Sequence, residues 1–507
     1  MARLFIGLDA GSSVCKAGLF SLDGRQLAEA SCRTPLSRPQ AGWSELDPDQ
    51  CWAAARTVIA DVVRQCGAAP GEIGGIGLSA AMVGAWVIDG QGRALRPGII
   101  WEDSRSQSII EEMEAADPGV LSRIFMSSGS VLQQGCTLPV LAWLSRHEPH
   151  VLQAARYVLS YKDFLRFRLT GLVATDRSEA SVIPGSARSR DRSDEMVSLF
   201  GLDPWRHLLP EVRESEEFIG GLTADVAREL GLPAGLPVAI GAGDVAATVI
   251  GAGGLEPGQA TAVLGTTVMV GVCHDVPVFD PPDIGLLFTL PGSVWYRSMV
   301  NVAGTLNLDW AIEALAPDIS ARPDRYEAVT ALAASVPEGA EGLTFLPYLS
   351  ESGIIAPIVD RAARAQFAGL SPRHGRAHLF RAVFEGVAFA LRDLTDALDF
   401  RGPSLLLTGG GAKSPFWSQM IADILGCNVV VPEGSQFGAR GAALIAATAA
   451  GCFPGIRQAS LAVAGGGTTY NPRQDSEVTY GEAWARYRNL RDRLTGAAAG
   501  KPGQERA

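Results

Sequence analysis

Three short turns rich in glycine, serine and threonine each follow an apolar run, at residues 9–13, 265–267 and 409–412. Glycine lets a backbone amide approach a phosphate closely, and a serine or threonine hydroxyl adds a donor. Gly11, Ser12 and Ser13 in the first turn, Gly265, Thr266 and Thr267 in the second, and Gly410 and Gly411 in the third are therefore candidate phosphate contacts. Glycine-rich turns are common, so each taken singly could be a plain turn. Three of them at the ends of apolar runs form the stronger pattern. None is a P-loop, because no G-x-x-x-x-G-K-[ST] occurs, and the turn at 9–13 opens a hairpin rather than a helix, unlike a dinucleotide fingerprint.

Two carboxylates stand beside such turns. Asp9 closes the first apolar run, where a carboxylate can hold a magnesium ion, usually through water, or can simply cap the turn. Lys16, just beyond, could face phosphates or solvent. Asp244 lies in Gly241-Ala242-Gly243-Asp244, after one buried run and before an apolar helical pattern. Ligands of open α/β sheets gather at that end of the strands, where a carboxylate can take the proton of an attacking hydroxyl. An aspartate there also serves well as a helix N-cap, and local sequence leaves both readings open. Trp101 offers an indole face suited to sugar C–H groups, with ordinary core packing as the other reading.

The elements that must position these residues follow from the apolar pattern. Strands are expected at 4–6, 16–22 and 26–33, with Asp23-Gly24 as a hairpin turn, so the chain opens as an antiparallel meander. A helix is expected after the N-cap Asp47, with Pro48 in its first turn, Gln50 able to complete a capping box and Gly67 at its end. A buried strand at 73–78 follows, then helical patterns over about 105–170. The Ser/Arg/Asp-rich stretch 175–195 reads as an exposed loop. A strand at 237–240, a turn at 241–244 and a small-residue helix at 245–250 follow, and strand, glycine turn and strand return at 261–272, echoing the first twenty residues and implying an internal duplication. Helices at 376–400 and 416–425 flank a strand at 404–407.

The chain has 507 residues, too many for one core, and its 47% hydrophobic and 19% charged composition is that of a globular protein. A net charge of −11 argues against nucleic acid and anionic membranes as main partners. The eight cysteines and six histidines show no metal-ligand spacing, and the cysteines suit a reducing compartment. The N-terminus meets Asp9 after few apolar residues, and no stretch is long enough to span a membrane, so a cytoplasmic protein without a signal peptide is expected.

Several segments together resemble the FGGY carbohydrate kinases, a branch of the actin/hexokinase/Hsp70 superfamily, closest in pattern to xylulose kinases. Gly7-Leu8-Asp9-Ala10-Gly11-Ser12-Ser13 with Lys16 is similar to the superfamily's first phosphate motif. Trp43-Ser44-Glu45-Leu46-Asp47-Pro48 and Trp101-Glu102-Asp103-Ser104-Arg105 resemble two further segments of the family. Gly243-Asp244 resembles the pair carrying its catalytic base, Gly265-Thr266-Thr267 its second phosphate loop, and Gly409-Gly410-Gly411-Ala412 with Ser414 and Trp417 its adenosine motif. Ala365-Gln366-Phe367-Ala368-Gly369-Leu370 and, after a seven-residue gap, 378–385 resemble its C-terminal signature.

The resemblance implies two actin-like (ribonuclease H-like) α/β domains facing a central cleft, at 1–247 and 248–495, with 496–507 a disordered tail. It implies Asp244 as general base, Asp9 on Mg²⁺ through water, and ATP on Gly11, Ser12, Ser13, Lys16, Gly265, Thr266, Thr267, Gly410, Gly411 and Ser414. The acceptor, a small sugar or polyol, would meet Met82, Val83, Trp101, Asp103 and Asp244. Xylulose kinases usually read Q-M-H-G where this chain has Ala81-Met82-Val83-Gly84, and Asn where it has Val245 after the base. The family's usual Lys before the tryptophan at 143 is here Val140. A ketopentose such as xylulose is the expected acceptor, with erythritol, glycerol or another small polyol as the alternative, and a homodimer is carried as an expectation. A non-catalytic sugar or nucleotide sensor on the same fold is the rival of another class, and the intact Asp244 and phosphate turns argue against it.

Overall fold

The computed structural model describes residues 4–67 and 69–496. The tail expected at 496–507 lies outside the described residues, Gly496 excepted. The chain forms two compact units that interleave in sequence. The first comprises Met1–Pro257, Cys273–Arg297 and Gln436–Gly465; the second comprises Gly258–Val272, Ser298–Ser435 and Gly466–Ala507.

In the first unit, β1 (Leu4–Ala10), β2 (Val14–Ser21) and β3 (Gln26–Arg33) form the meander expected from the sequence. β4 (Ile73–Ala80) lies parallel to β1 on its other side. Beyond it come β5 (Phe218–Gly221), β6 (Pro237–Ala239) and β7 (Ala242–Gly243), in the order β5-β6-β4-β1-β2-β3 with β7 also on β4. β4, β6 and β7 run parallel to β1 or to each other's partner, so their carboxyl ends share one edge of the sheet.

The period of two divides β1 between two helices. Ile6, Leu8 and Ala10 share a core with Cys51, Ala55, Val58 and Val62 of the helix Pro48–Cys66. That helix begins as the sequence predicts: Asp47 accepts from the backbone N–H of Asp49 and Gln50, and Gly67 ends it at φ +62°. The opposite face carries Gly7 and Asp9 and meets the helix Phe437–Ala449. A Cβ at Gly7 would collide with the carbonyl of Ala439, and one at Gly77 of β4 with that of Ala442. Only glycine lets this alanine-rich helix lie on the strands at backbone contact. The helix Asp244–Gly251 packs beside it equally closely, with Gly441 against the Ala247 carbonyl and Gly251 against that of Phe437.

One expectation fails. The stretch 175–195 is not an exposed loop over its first half. Thr175–Asp176 is a short strand and Arg177–Val182 a helix, and Asp176, Ser178, Glu179 and Ser181 are all buried. Its polar residues face one another and Lys162, itself fully buried, so polarity there records internal pairing rather than contact with water.

In the second unit, β8 (Ala260–Leu264) and β9 (Val268–His274) form an antiparallel hairpin, and β10 (Ser404–Thr408) lies parallel to β8. β11 (Asn428–Pro432) and β12 (Gly467–Tyr470) continue the sheet. The hairpin repeats that of β1 and β2 as the duplicated pattern predicts, and the parallel neighbour repeats the place of β4. The helices Arg376–Ala397 and Pro415–Leu425 pack on this unit. The signature at 365–385 is part of its frame. Gln366–Ala368 pairs with Thr344–Leu346, and the buried Arg381 and Glu385 bond at 2.7 Å. Glu385 also accepts from Gly339 N–H at 2.9 Å, and Arg381 donates to the Tyr480 hydroxyl at 2.6 Å.

Candidate active site

The parallel strands of the first unit bring two carboxylates together. Asp9 is the ninth residue of the chain, at the end of β1, and pairs in register with Ser79 of β4 on one side and Lys16 of β2 on the other. Ser79 in turn stands opposite Ala242, and Ala80 opposite Gly243, so Asp244 emerges one strand away from Asp9. Asp244 is the first residue of its helix, whose N-cap is Gly243, and its Oδ1 accepts from Val245 N–H at 2.8 Å. Burial pushes the Asp244 carboxyl up to about 7, and the nearby charge of Asp9 adds to the shift. Such a carboxylate can accept a proton near neutral pH. Asp9 is also raised by burial, while the Ser79 hydroxyl, donating to Oδ1 at 3.2 Å, and Lys16 pull it back.

The turn after Asp9 is closed by a bond from Gly11 N–H to the Val14 carbonyl at 3.0 Å, with Ser13 exposed and Ser12 half-buried. Trp101 is 47% exposed, and its indole N–H donates to Ser12 Oγ at 3.1 Å. Trp101 is therefore tethered to the turn at 9–13, a link not visible in the spacing of either motif.

Asp103 is turned inward. It has no exposed surface; Oδ1 accepts from Arg105 N and Nε, and Oδ2 from Arg105 and from Ser44 N–H at 2.6 Å. Arg105 also reaches Glu45 at 2.7 Å and stacks over Trp43 at 3.8 Å. The tryptophan-headed segments at 43–48 and 101–105 thus interlock, and the loop they fix presents Trp101.

Ala81, Met82 and Val83 continue from β4 and are all mostly buried. Met82 lies against Gly243, so closely that a Cβ there would meet its sulfur. Val83 has φ +56°, a left-handed conformation that a β-branched side chain adopts only under strain, and Gly84 follows at φ +78°. The Val83 N–H donates to Glu179 at 3.0 Å. Ser178 and Glu179 were missed by sequence reasoning because their stretch had the composition of a loop.

In the second unit, Thr266 and Thr267 are exposed at the tip between β8 and β9, and Gly265 N–H donates to the Thr267 carbonyl at 3.0 Å. Thr305 N–H supports the turn on the Gly265 carbonyl at 2.7 Å, and Gly304 is the residue whose missing Cβ makes room for it. After β10, Gly409 has φ +94°, and a side chain at Gly411 would run into Leu264, whereas Gly410 is exposed with open space where its Cβ would stand. Ser414 caps the helix Pro415–Leu425 by accepting from Trp417 N–H at 3.3 Å. The two glycines should therefore answer differently to Val. Gly411→Val is expected to lower Tm through the clash with Leu264. Gly410→Val should leave Tm within a few degrees; if the expected ATP contact is made here, the KM for ATP should rise about tenfold or more. An unchanged KM in a stable Gly410→Val protein would make this loop purely structural.

Residues 4–251 match the N-terminal domain, and 260–450 the C-terminal domain, of the FGGY family of carbohydrate kinases. The chain is 36% identical to the xylulose kinase of Escherichia coli K12 over 454 residues, 88% of this chain and 90% of that one. It is 31% identical to the erythritol kinase of Brucella abortus over 469 residues, covering 89% and 88%. Among solved structures, a crystal structure described as a xyloylose kinase from Brucella ovis superposes with a TM-score of 0.87 at 33% identity, over 98% of this chain and 100% of that one. Sequence match and fold agree over both halves, and the chain belongs to the FGGY family of carbohydrate kinases.

Proposed function

We propose that this carbohydrate kinase transfers the γ-phosphoryl group of ATP to a hydroxyl of a ketopentose such as xylulose, with Asp244 as general base. The observation that carries the reading is the Asp244 carboxylate at the carboxyl edge of the sheet, raised to about 7 and set beside Asp9. In its ionised form it takes the hydroxyl proton as the oxygen attacks phosphorus and ADP departs. Trp101 stacks on the acceptor's C–H face, and Asp103 acts on it only through the loop it fixes.

Within the second unit, Gly265, Thr266, Thr267 and Gly410 are the candidate ATP contacts, with Gly411 and Ser414 shaping the loop. Within the first unit, Gly11, Ser12, Ser13 and Lys16 are the candidate phosphate contacts. Asp9 has an oxygen not taken by Ser79, and no group of three metal-ligating side chains occurs among the described residues. That donor set fits Mg²⁺ held chiefly by phosphate oxygens and water, with Asp9 as the protein's share. The ion would supply neutralisation of phosphate charge.

A second reading, a small polyol acceptor, is favoured by Ala81, Met82 and Val83, which offer no polar side chain beside Asp244. A coupled ADP-release assay over xylulose, erythritol and glycerol tests both: xylulose is expected to have the highest kcat/KM. Erythritol in first place would support the second reading, and no acceptor-dependent turnover with any ketose or polyol would overturn the kinase assignment. In the same assay, the double substitution Ala81→Gln with Val83→His should raise xylulose kcat/KM relative to erythritol by roughly 2- to 13-fold per recovered hydrogen bond. A flat ratio would show that this segment does not read the acceptor.

A further inference from the structure

The strand that delivers Asp244 is short. β7 consists of Ala242 and Gly243 alone, and it ends one residue before the carboxylate. What fixes its free edge is a buried side chain: the Gly243 N–H donates to Ser178 Oγ at 2.9 Å. Ser178 is in turn held from behind. Its hydroxyl donates to Asp176 Oδ2 at 2.6 Å, and the same oxygen accepts from Ser178 N–H at 2.9 Å and Ser215 Oγ at 2.8 Å. Asp176 faces Lys162 Nζ at 3.3 Å, and Lys162 also reaches Asp163 at 2.5 Å and the Ile240 carbonyl at 3.2 Å. Lys162, Asp163, Asp176, Ser178 and Ser215 are all buried.

The direction of each bond is settled by chemistry. A carboxylate only accepts, so Ser178 must give its proton to Asp176, and its lone pair is then the sole part of the hydroxyl that can face Gly243 N–H. Lys162 stands against the other oxygen of Asp176, so the buried carboxylate has a cation on one side and its three donors on the other. The same helical turn holds Val83 through Glu179, so one buried turn grips the segments on both sides of the proposed acceptor position.

We infer that Ser178, oriented by the Asp176–Lys162 pair, is a positioning residue for the base, setting where the Asp244 carboxylate points through its bond to Gly243 N–H. This rests on the reading of Asp244 as general base. General-base catalysis needs the carboxylate within hydrogen-bond reach of the acceptor hydroxyl, and small angular errors at the strand end become larger ones at its oxygens.

The test is a double-mutant cycle on kcat with the full chain, in the assay above. Ser178→Ala is expected to lower kcat roughly 10- to 100-fold, with the KM for ATP within about twofold of the parent and the pH dependence of kcat/KM displaced. Ser215→Ala, which also removes a donor from Asp176 but leaves the Gly243 bond, should change kcat by less than about threefold. In an Asp244→Asn background, Ser178→Ala should cause no further loss, because its effect runs through the carboxylate. Multiplicative losses in the double variant would overturn the inference, as would a folded Ser178→Ala protein with the parent's kcat and pH profile. Should Ser178→Ala fail to fold, Ser178→Cys keeps the volume with a poorer acceptor and is read by the same criteria. If Asp244→Asn alone keeps parental turnover, the base assignment has failed and this inference falls with it. If Asp244→Asn is inactive and the losses multiply, only the positioning role has failed.

Discussion

Asp244→Asn is expected to lower kcat at least ~10²-fold while leaving ATP binding close to the parent's. Asn keeps the size of the side chain and can still accept from Val245 N–H, but it cannot take the acceptor's proton. The raised carboxyl makes two pH-dependent claims. In the parent, kcat/KM should rise with pH up to about 7, because only the ionised form is a base. Stability should move the other way. The folded state holds the Asp244 proton more tightly than the unfolded chain, so its stabilising share is complete below the ordinary carboxyl range and is lost as pH rises to about 7. The Asn variant carries no such loss. Its stability gain over the parent should be near zero at pH 4 and grow to roughly 4 kcal/mol above pH 7. Denaturation midpoints at pH 4, 6 and 8 measure it, and a gain independent of pH would place the Asp244 carboxyl in its ordinary range. Parental turnover in the folded Asn variant would remove it from the mechanism.

The second large effect is expected from a residue with no side chain. Gly438 opens the helix Phe437–Ala449, and a Cβ there would strike the carboxylate of Asp9. Asp9 is short and tied to Ser79, so it has little room to yield. Gly438→Ala should therefore turn the carboxylate away and lower kcat about 10- to 10³-fold, with the Mg²⁺ concentration needed for half-maximal rate raised. The fold should survive, because the displaced group is a side chain. Gly77→Ala is the contrast: its Cβ would meet the backbone carbonyl of Ala442, which cannot step aside, and most of the protein should be lost as insoluble material. Thermal melts and kcat on both variants separate the cases. A Gly438→Ala enzyme with parental kcat and Mg²⁺ dependence would show that Asp9 has no part in turnover.

These glycines mark how far the sequence carries. The meander, the cap at Asp47, both hairpins and the buried strands after them were legible from apolar alternation and turn chemistry, which act over a few residues. The duplicated pattern was legible for the same reason. Family membership followed from motifs whose residue types, spacing and order are all linear properties. Asp9 and Asp244 could each be picked as a carboxylate at a strand end, but their proximity could not. It depends on β4 lying between β1 and β7, a pairing of segments far apart in sequence.

Composition misled where polar groups pair inside the protein. The stretch 175–195 has the residues of a solvated loop, yet Asp176, Ser178 and Glu179 are buried because Lys162, Gly243 and Val83 supply their partners. Asp103 is the converse case: a motif carboxylate expected at the ligand, with both oxygens occupied by Arg105 and Ser44. The sequence alone determined which residues could do chemistry and the family they belong to. Only the tertiary structure decided which carboxylate is raised towards neutrality and which stays tied to an arginine. That choice rests on burial and on the partners brought near by strand order, and neither is a property of local sequence.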